Sequence, residues 1–267
     1  MENVDKKMNS STLRIGVFDS GIGGLSVLAE LFKTTPQAEY FYFSDDAFAP
    51  YGPKNDEFIL DRSRAIVQEL LKKNVQMIVI ACNTATAVAI DSLRIEFPKL
   101  QFVGVEPYLN AIYKEKGPSK MAVLTTISTG KSQRFKRLKE RLDPQGLIDL
   151  YQLANLAKMI EDLYHKGLSY NDFLVQLESE LMPLKNKGYT HAILGCTHYP
   201  LVREDIEKIL KLTTLSPCPY VANRVKELAN EASFDTEFNT DEFEFISSSN
   251  NLWQTKKRKN YINLIEK

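Results

Sequence analysis

The chain has 267 residues, and its 34 basic and 34 acidic residues balance. Such a neutral composition gives no reason to expect a nucleic acid or a membrane surface as partner. Three cysteines, an odd number, do not form a disulfide framework, and they indicate a reducing, cytoplasmic compartment. The polar N-terminal segment predicts a short flexible tail at 1–11 and no signal peptide.

Short apolar runs alternate with helical patterns along the chain. LRIGVFDS, AEYFYFSD and MIVIAC are each followed by a helix-like segment, and a second set runs from MAVLTTIS to THAILGC. This alternation predicts an α/β fold with mainly parallel sheets covered by helices. The two sets predict two domains, 12–107 plus 218–267 and 108–217, because the prolines near 107 and at 217–219 interrupt regular structure.

The C-terminal part is predicted to return to the first domain. YVANRVKELANEA predicts a helix, FEFISSS a strand, and the last segment a terminal helix that carries Trp253. Cys218 lies between two prolines and is predicted to occupy a linker. The basic run KKRK at 256–259 is interpreted as a solvated helix face, since four basic residues in a neutral chain are weak evidence for nucleic-acid binding.

Two cysteines end similar runs, IVIACNTATAVAI at Cys82 and HAILGCTHYP at Cys196. In α/β sheets, ligands bind at the carboxyl ends of strands, where both thiols are expected. The alternative is a cysteine that fills the core as a small apolar side chain. Duplication favours function, and two thiols that face each other suit removal of a proton from one face of a carbon and its return to the other.

The neighbours of these thiols are suited to tuning them. A free thiol has a pKa of about 8.5, so a cysteine base needs electropositive surroundings. We expect the N-terminus of a helix after each strand to supply them. His198 is expected to polarise Cys196, and Asp19 to act comparably on Cys82, although a lone histidine is more often structural.

Two further loops follow strands. In FDSGIGGLSV, Asp19 and Ser20 precede three glycines and a helix, so backbone amides are expected to hold an anion such as a carboxylate, and Asp19 an ammonium group. The glycine spacing fits neither the dinucleotide nor the P-loop pattern. In SDDAFAPYG, Tyr51 and Gly52 present groups to a substrate, or the two aspartates only cap the next helix.

The sequence indicates no cofactor. It contains no Cys-x-x-Cys, and its cysteines and histidines lack the spacing of zinc ligands. No lysine stands in a recognisable setting for a pyridoxal phosphate Schiff base. We therefore expect no metal and no organic cofactor.

Five blocks in order, FDSGIGGLSV, PYG at 50–52, ACNTA at 81–85, GVEP at 104–107 and GCTHYPL at 195–201, resemble the glutamate racemase family of the aspartate/glutamate racemase superfamily. The resemblance implies two pseudo-symmetric α/β domains with the substrate, glutamate, between them and no cofactor. The resemblance is compatible with a homodimer. By motif it implies that Cys82 and Cys196 are the acid/base thiols, and that the substrate is lined by Asp19, Ser20, Tyr51, Gly52, Asn83, Thr84, Thr126, Thr129, Thr197 and His198.

The implied activity is cofactor-independent interconversion of L- and D-glutamate, which supplies D-glutamate for peptidoglycan. A racemase of aspartate or another amino acid, and a non-catalytic small-ligand-binding protein, are the alternatives. The chain departs from the family pattern at LANLAKMIEDL, where only Glu161 matches the usual acid. Phe48 stands where the family commonly has an arginine, and SSSN stands where it usually has Thr-Thr-Gly. These departures bear on the substrate side chain and on the role of Glu161.

Overall fold

A computed structural model describes residues 12–114, 120–165, 167–231 and 241–262, so the predicted tail at 1–11 lies outside the described residues. The predicted α/β class is confirmed, with two sheets that are parallel except for one strand pair. Within the described part of the chain, no helix is long and apolar enough to cross a membrane.

The first sheet has six strands in the order β10-β9-β2-β1-β3-β4. They are β1 (Arg14–Asp19), β2 (Glu39–Ser44), β3 (Met77–Ile80), β4 (Gln101–Gly104), β9 (Glu242–Ser247) and β10 (Trp253–Lys257). Alternate residues of these strands enter two cores, one on each face, because successive side chains of a strand point to opposite sides. Helix α1 (Leu25–Thr34) covers one face, and α2 (Asp56–Leu71) and α3 (Asn83–Glu96) cover the other.

The second sheet has four strands in the order β6-β5-β7-β8, all parallel. They are β5 (Met121–Thr125), β6 (Ile148–Gln152), β7 (His191–Gly195) and β8 (Thr213–Leu215). The remaining helices are α4 (Ala111–Lys114), α5 (Ile127–Lys131), α6 (Gln133–Leu142), α7 (Leu156–His165), α8 (Tyr170–Leu181), α9 (Arg203–Leu210), α10 (Cys218–Glu231) and α11 (Lys259–Ile262). Helices α10 and α11 pack on α1 of the first unit.

The two sheets repeat one strand order. In each, the first strand of the set lies between the second and the third, and the fourth lies beyond the third. Strand β3 of the first sheet therefore corresponds to β7 of the second, and Cys82 and Cys196 follow these equivalent strands. The two similar cysteine-ending runs in the sequence are therefore equivalent strands of the two sheets. The domain limits at 107/108 and 217/218 stay a prediction.

Several predictions for the second half of the chain were wrong or incomplete. Trp253 lies on β10 instead of a helix. Strands β6 and β8 were not predicted, because β6 carries polar residues and β8 has three residues. Cys218 is buried as the first residue of α10 rather than part of a linker, since a proline is tolerated in the first turn of a helix.

The KKRK run was also misinterpreted. Its first two residues, Lys256 and Lys257, lie on β10, and Arg258 is buried. The Arg258 guanidinium donates to the carbonyl oxygens of Pro36 (2.6 Å), Ala38 (2.6 Å) and Glu242 (3.1 Å). This arginine therefore joins the C-terminal strands to the segment before β2 and is not part of a solvated face.

Candidate active site

Cys82 lies at the N-terminus of a helix, as predicted. Strand β3 ends at Ile80, and the Cys82 sulfur caps α3 by accepting the Ala85 N–H at 3.4 Å. Burial raises the pKa of the Cys82 thiol well above its usual value, the charge of Asp19 adds to this, and the Ala85 amide opposes it. The charge of Cys196 raises it further. Without substrate, Cys82 therefore keeps its proton at neutral pH.

Asp19, the last residue of β1, is fully buried. Its Oδ2 accepts the Gly24 N–H at 2.7 Å. Burial raises the pKa of Asp19, against the opposing effects of His198 and of the Gly24 amide. The other oxygen, Oδ1, has no hydrogen-bond partner among the residues that the structure describes. It is placed to accept a hydrogen bond from a donor such as an ammonium group.

The surroundings of Cys196 differ from the prediction. It follows β7 directly, but the next element is a single 3-10 turn, Tyr199–Val202, and α9 begins only at Arg203. The expected α-helix N-terminus is therefore absent from this thiol. Instead, the Cys196 sulfur lies 3.8 Å from Nδ1 of His198.

His198 connects Cys196 to an acid on α7. Its Nε2 lies 2.6 Å from Oε1 of Glu161. Burial lowers the pKa of His198, but hydrogen bonds and charges of Cys196 and Glu161 outweigh burial and raise it well above its usual value. Burial acts to raise the pKa of Glu161, whereas His198 brings it below the usual carboxyl value. The pair is therefore an imidazolium and a carboxylate, with positive charge beside the Cys196 sulfur.

The glycine-rich turn after β1 binds two carboxylates of the protein itself. The Ile22 N–H donates to Oε1 of Glu161 at 3.0 Å, and the Gly24 N–H donates to Asp19. A Cβ at Gly21 would overlap the Glu161 carboxylate. The prediction that these amides hold a ligand anion is thus corrected, since two of them are already occupied.

Three threonine hydroxyls meet between the two units. Oγ1 of Thr84, at the start of α3, lies 3.1 Å from that of Thr126 and 3.3 Å from that of Thr129. Thr126 caps α5 and lies 3.0 Å from Thr129. Thr84 follows β3 of the first sheet, and Thr126 follows β5 of the second. Each hydroxyl can reorient to donate, so the cluster suits a carboxylate.

The PYG loop is held by the buried Asp45, which pairs with the partly exposed Arg62. Asp45 accepts hydrogen bonds from the Tyr51 hydroxyl at 2.5 Å and from Arg62 at 2.9 and 2.5 Å. It does not cap α2, because Asn55 does so. The Tyr51 hydroxyl is thus already bonded within the protein, while Gly52 lies against Thr126, with 3.4 Å between an added Cβ and the threonine Cβ.

The other predicted residues also surround the thiols. The Ser20 hydroxyl lies 3.9 Å from the Cys82 sulfur. Asn83 donates to the Val105 carbonyl at 3.4 Å, and its Oδ1 is unpartnered within the described ranges. Thr197 is buried, and its carbonyl accepts the Ser26 hydroxyl at 2.9 Å. Sequence reasoning missed Ser26, for which the only signal was a polar residue on the buried face of an apolar helix.

The sequence profile of the Asp/Glu/hydantoin racemases matches residues 15–225 of the chain. The chain belongs to this racemase family. The matched range includes both cysteines, Asp19, Glu161 and His198, so the whole site described above lies within it.

Individual relatives agree with this assignment. A glutamate racemase of Aliarcobacter butzleri is 37% identical over 225 residues, 82% of this chain and 85% of the relative. One from Clostridium botulinum is 36% identical over 205 residues, 76% of this chain and 78% of the relative. The crystal structure of a Bacillus anthracis glutamate racemase isoform matches with a TM-score of 0.78 and 27% identity, covering 90% and 89% of the two chains.

A second solved structure is similar to the same extent. The Escherichia coli glutamate racemase in complex with L-glutamate and the activator UDP-MurNAc-Ala has a TM-score of 0.78 and 28% identity, over 88% of this chain and 89% of that one. In the chain described here, no group of three or more His, Cys, Asp or Glu side chains within the described ranges could hold a metal ion.

Proposed function

We propose that this racemase interconverts L- and D-glutamate by a two-thiol mechanism. The observation that carries the proposal is the pair of buried thiols at equivalent strand ends of two similar units. The curated relatives named above, all glutamate racemases, support glutamate as the substrate. One sulfur, as thiolate, takes the α-proton from one face of the substrate. The other thiol then delivers a proton to the opposite face.

The surroundings of each sulfur suit this exchange. The His198 imidazolium places positive charge 3.8 Å from the Cys196 sulfur, which must carry negative charge when it acts as the base. Cys82, whose pKa is raised by burial, is the thiol ready to donate. In the reverse direction the protonation states exchange.

Substrate binding is assigned to groups at the strand ends. Asp19 Oδ1 accepts from the α-ammonium group, and the hydroxyls of Thr84, Thr126 and Thr129 donate to a carboxylate. Asn83, Ser20, Gly52 and Thr197 complete the lining. Tyr51 supports the loop through the hydrogen bond of its hydroxyl to Asp45.

The proposal includes a cytoplasmic location and the supply of D-glutamate for peptidoglycan. All three cysteines are free, which suits a reducing compartment. The division into two domains at 107/108 and 217/218 is also proposed, with the substrate bound between them.

A polarimetric assay on a panel of L- and D-amino acids, without added cofactor and with EDTA, tests the proposal. We expect loss of optical rotation with both glutamate enantiomers and with no other member of the panel at a comparable rate. Aspartate as the preferred substrate would replace glutamate within the same mechanism. Activity that requires an added metal or cofactor would contradict the mechanism.

A further inference from the structure

The loop that carries Cys196 is held in place by the first unit of the protein. A Cβ at Gly23, in the turn after β1, would overlap the His198 ring, so turn and ring are in direct contact. Three residues after Gly23, the buried hydroxyl of Ser26 donates to the Thr197 carbonyl at 2.9 Å. Thr197 is the residue between Cys196 and His198, so this bond fixes the peptide that joins them.

Ser26 is in turn contacted by the third cysteine. The Cys218 sulfur, at the start of α10, lies 3.4 Å from Oγ of Ser26. A serine hydroxyl has one proton, and here it points to the Thr197 carbonyl. The Cys218 thiol must therefore donate to Ser26, which requires its protonated form. Burial raises the pKa of Cys218, so the thiol holds its proton at neutral pH.

We infer that Ser26, supported by Cys218, is a positioning residue that holds the Cys196–His198 loop in the geometry needed for proton transfer at Cys196. The chain of hydrogen bonds runs from the Cys218 thiol to the Ser26 hydroxyl and on to the Thr197 carbonyl. Neither residue is assigned to substrate contact. The inference rests on the proposed function and deepens it.

The rival interpretation is that this chain only stabilises the fold. The two interpretations differ in what the loss of Ser26 does to each half of the reaction. General destabilisation affects proton abstraction by both thiols equally, whereas displacement of the Cys196 loop affects the half-reaction of Cys196. Steady-state racemisation does not separate them, because an equilibrium constant of one makes kcat/KM equal in both directions.

Elimination from the two enantiomers of one diastereomer of 3-chloroglutamate separates the half-reactions. One thiol takes the α-proton, chloride leaves the β-carbon, and the resulting enamine hydrolyses to 2-oxoglutarate and ammonium. The second thiol, which returns a proton during racemisation, is not needed. The Cys82→Ser variant, which retains only Cys196 of the two proposed catalytic thiols, identifies the enantiomer that Cys196 serves. The readouts are chloride release for each enantiomer and the unfolding temperature.

We expect Ser26→Ala to lower elimination from the Cys196-dependent enantiomer about tenfold, and from the other enantiomer by less than about twofold. Ser26→Thr keeps the hydroxyl and should restore the rate. Cys218→Ala should give a smaller loss for the same enantiomer, and Cys218→Ser, which keeps a donor, should resemble the parent. Ser63→Ala is the matched control, because Ser63 is buried and, among the residues that the structure describes, its hydroxyl bonds only within α2, to the Ile59 carbonyl.

Equal losses for both enantiomers, or no loss in Ser26→Ala, would overturn the inference and leave the proposed function intact. If Ser26→Ala does not fold, Cys218→Ala decides by the same criterion. A parent protein that neither racemises glutamate nor eliminates chloride from either enantiomer contradicts the proposed function, and this inference falls with it.

Discussion

Nε2 of His198 and Oε1 of Glu161 lie 2.6 Å apart with both side chains almost fully buried. This pair joins α7 to the loop after β7, and the same Glu161 oxygen accepts the Ile22 N–H from the first unit. Removing one partner of a buried ion pair costs more than the pair itself stabilises, because the remaining charge is left uncompensated. Three chain segments thus depend on one carboxylate.

Glu161→Gln should shift the alkaline limb of the pH profile. The raised pKa of His198 depends in part on the Glu161 charge, so its loss lets His198 deprotonate at lower pH. We expect the alkaline limb of kcat to move down by about one pH unit, with kcat lowered about fivefold at neutral pH. Glu178→Gln, which removes only an exposed pair with Lys185, is the control. An unchanged alkaline limb would leave Glu161 with a structural role only.

The stability of the parent protein should depend on pH through the same two groups. Glu161 has a lowered pKa, so its contribution is present above the usual carboxyl pKa and is lost as the pH falls through the folded value. His198 has a raised pKa, so its contribution is complete below its usual value and is lost as the pH rises through the folded value. Urea unfolding of the parent should therefore show a maximum between these limits that Glu161→Gln flattens.

Cys82→Ser and Cys196→Ser should each abolish racemisation, since a serine hydroxyl is far too weak an acid and base near neutral pH. Each variant keeps one of the two proposed catalytic thiols and should eliminate chloride from one enantiomer of 3-chloroglutamate only, with opposite preference in the two variants. By the family resemblance we expect Cys82 to serve the D-isomer and Cys196 the L-isomer. Normal racemisation by either variant, or the same preference in both, would refute the two-thiol mechanism.

Gly23→Ala should displace His198, because the added methyl group would overlap the imidazole ring. We expect kcat to fall at least about 100-fold, since small misplacements of catalytic groups have effects of this size. Gly52→Ala is the structural comparison, as its added methyl meets Thr126 at an ordinary contact distance of 3.4 Å. Its unfolding temperature should match that of the parent. A fully active Gly23→Ala would show that the ring position is not critical.

Arg258→Ala should destabilise the fold without changing the chemistry. The substitution leaves three carbonyl acceptors without their donor, and removes a cation over the rings of Phe32 and Tyr40. We expect a loss of about 3 kcal/mol in the free energy of unfolding, with kcat unchanged in the folded protein. Lys259→Ala, at an exposed neighbouring position, should change neither quantity. Equal stability of both variants would contradict the assigned anchoring role.

Local patterns were sufficient for much of the fold. Strands β1, β2, β3, β5 and β7 are apolar runs buried on both faces, so the sequence predicts them directly. The missed strands depend on distant partners. β10 reads WQTKK, is largely exposed, and is a strand only because it pairs antiparallel with β9. The burial of Arg258 is likewise decided by carbonyls at 36 and 38.

The site divides in the same way. Cys82, Cys196 and Asp19 were predictable because each lies where an apolar run ends, which places it at the ligand-binding edge of a sheet. The contact between His198 and Glu161 was not, since no periodicity relates α7 to the loop after β7. The glycine turn was expected to bind a ligand anion because the sequence does not show that Glu161 reaches it. Two of its amides in fact donate to carboxylates of the protein, those of Glu161 and Asp19.

The pairing of β9 with β2 has a consequence for how the protein is made. Phe41 lies beside Glu244, so two neighbouring strands of one sheet are separated by about 200 residues of sequence. During synthesis, the strands from 14 to 104 emerge early, yet the hydrogen-bonding edge of β2 stays open while the whole second sheet is translated. An open strand edge is a template for pairing with other chains. The nascent protein is therefore most exposed to aggregation before residue 247 leaves the ribosome, and slow closure of this long-range contact should limit its folding rate.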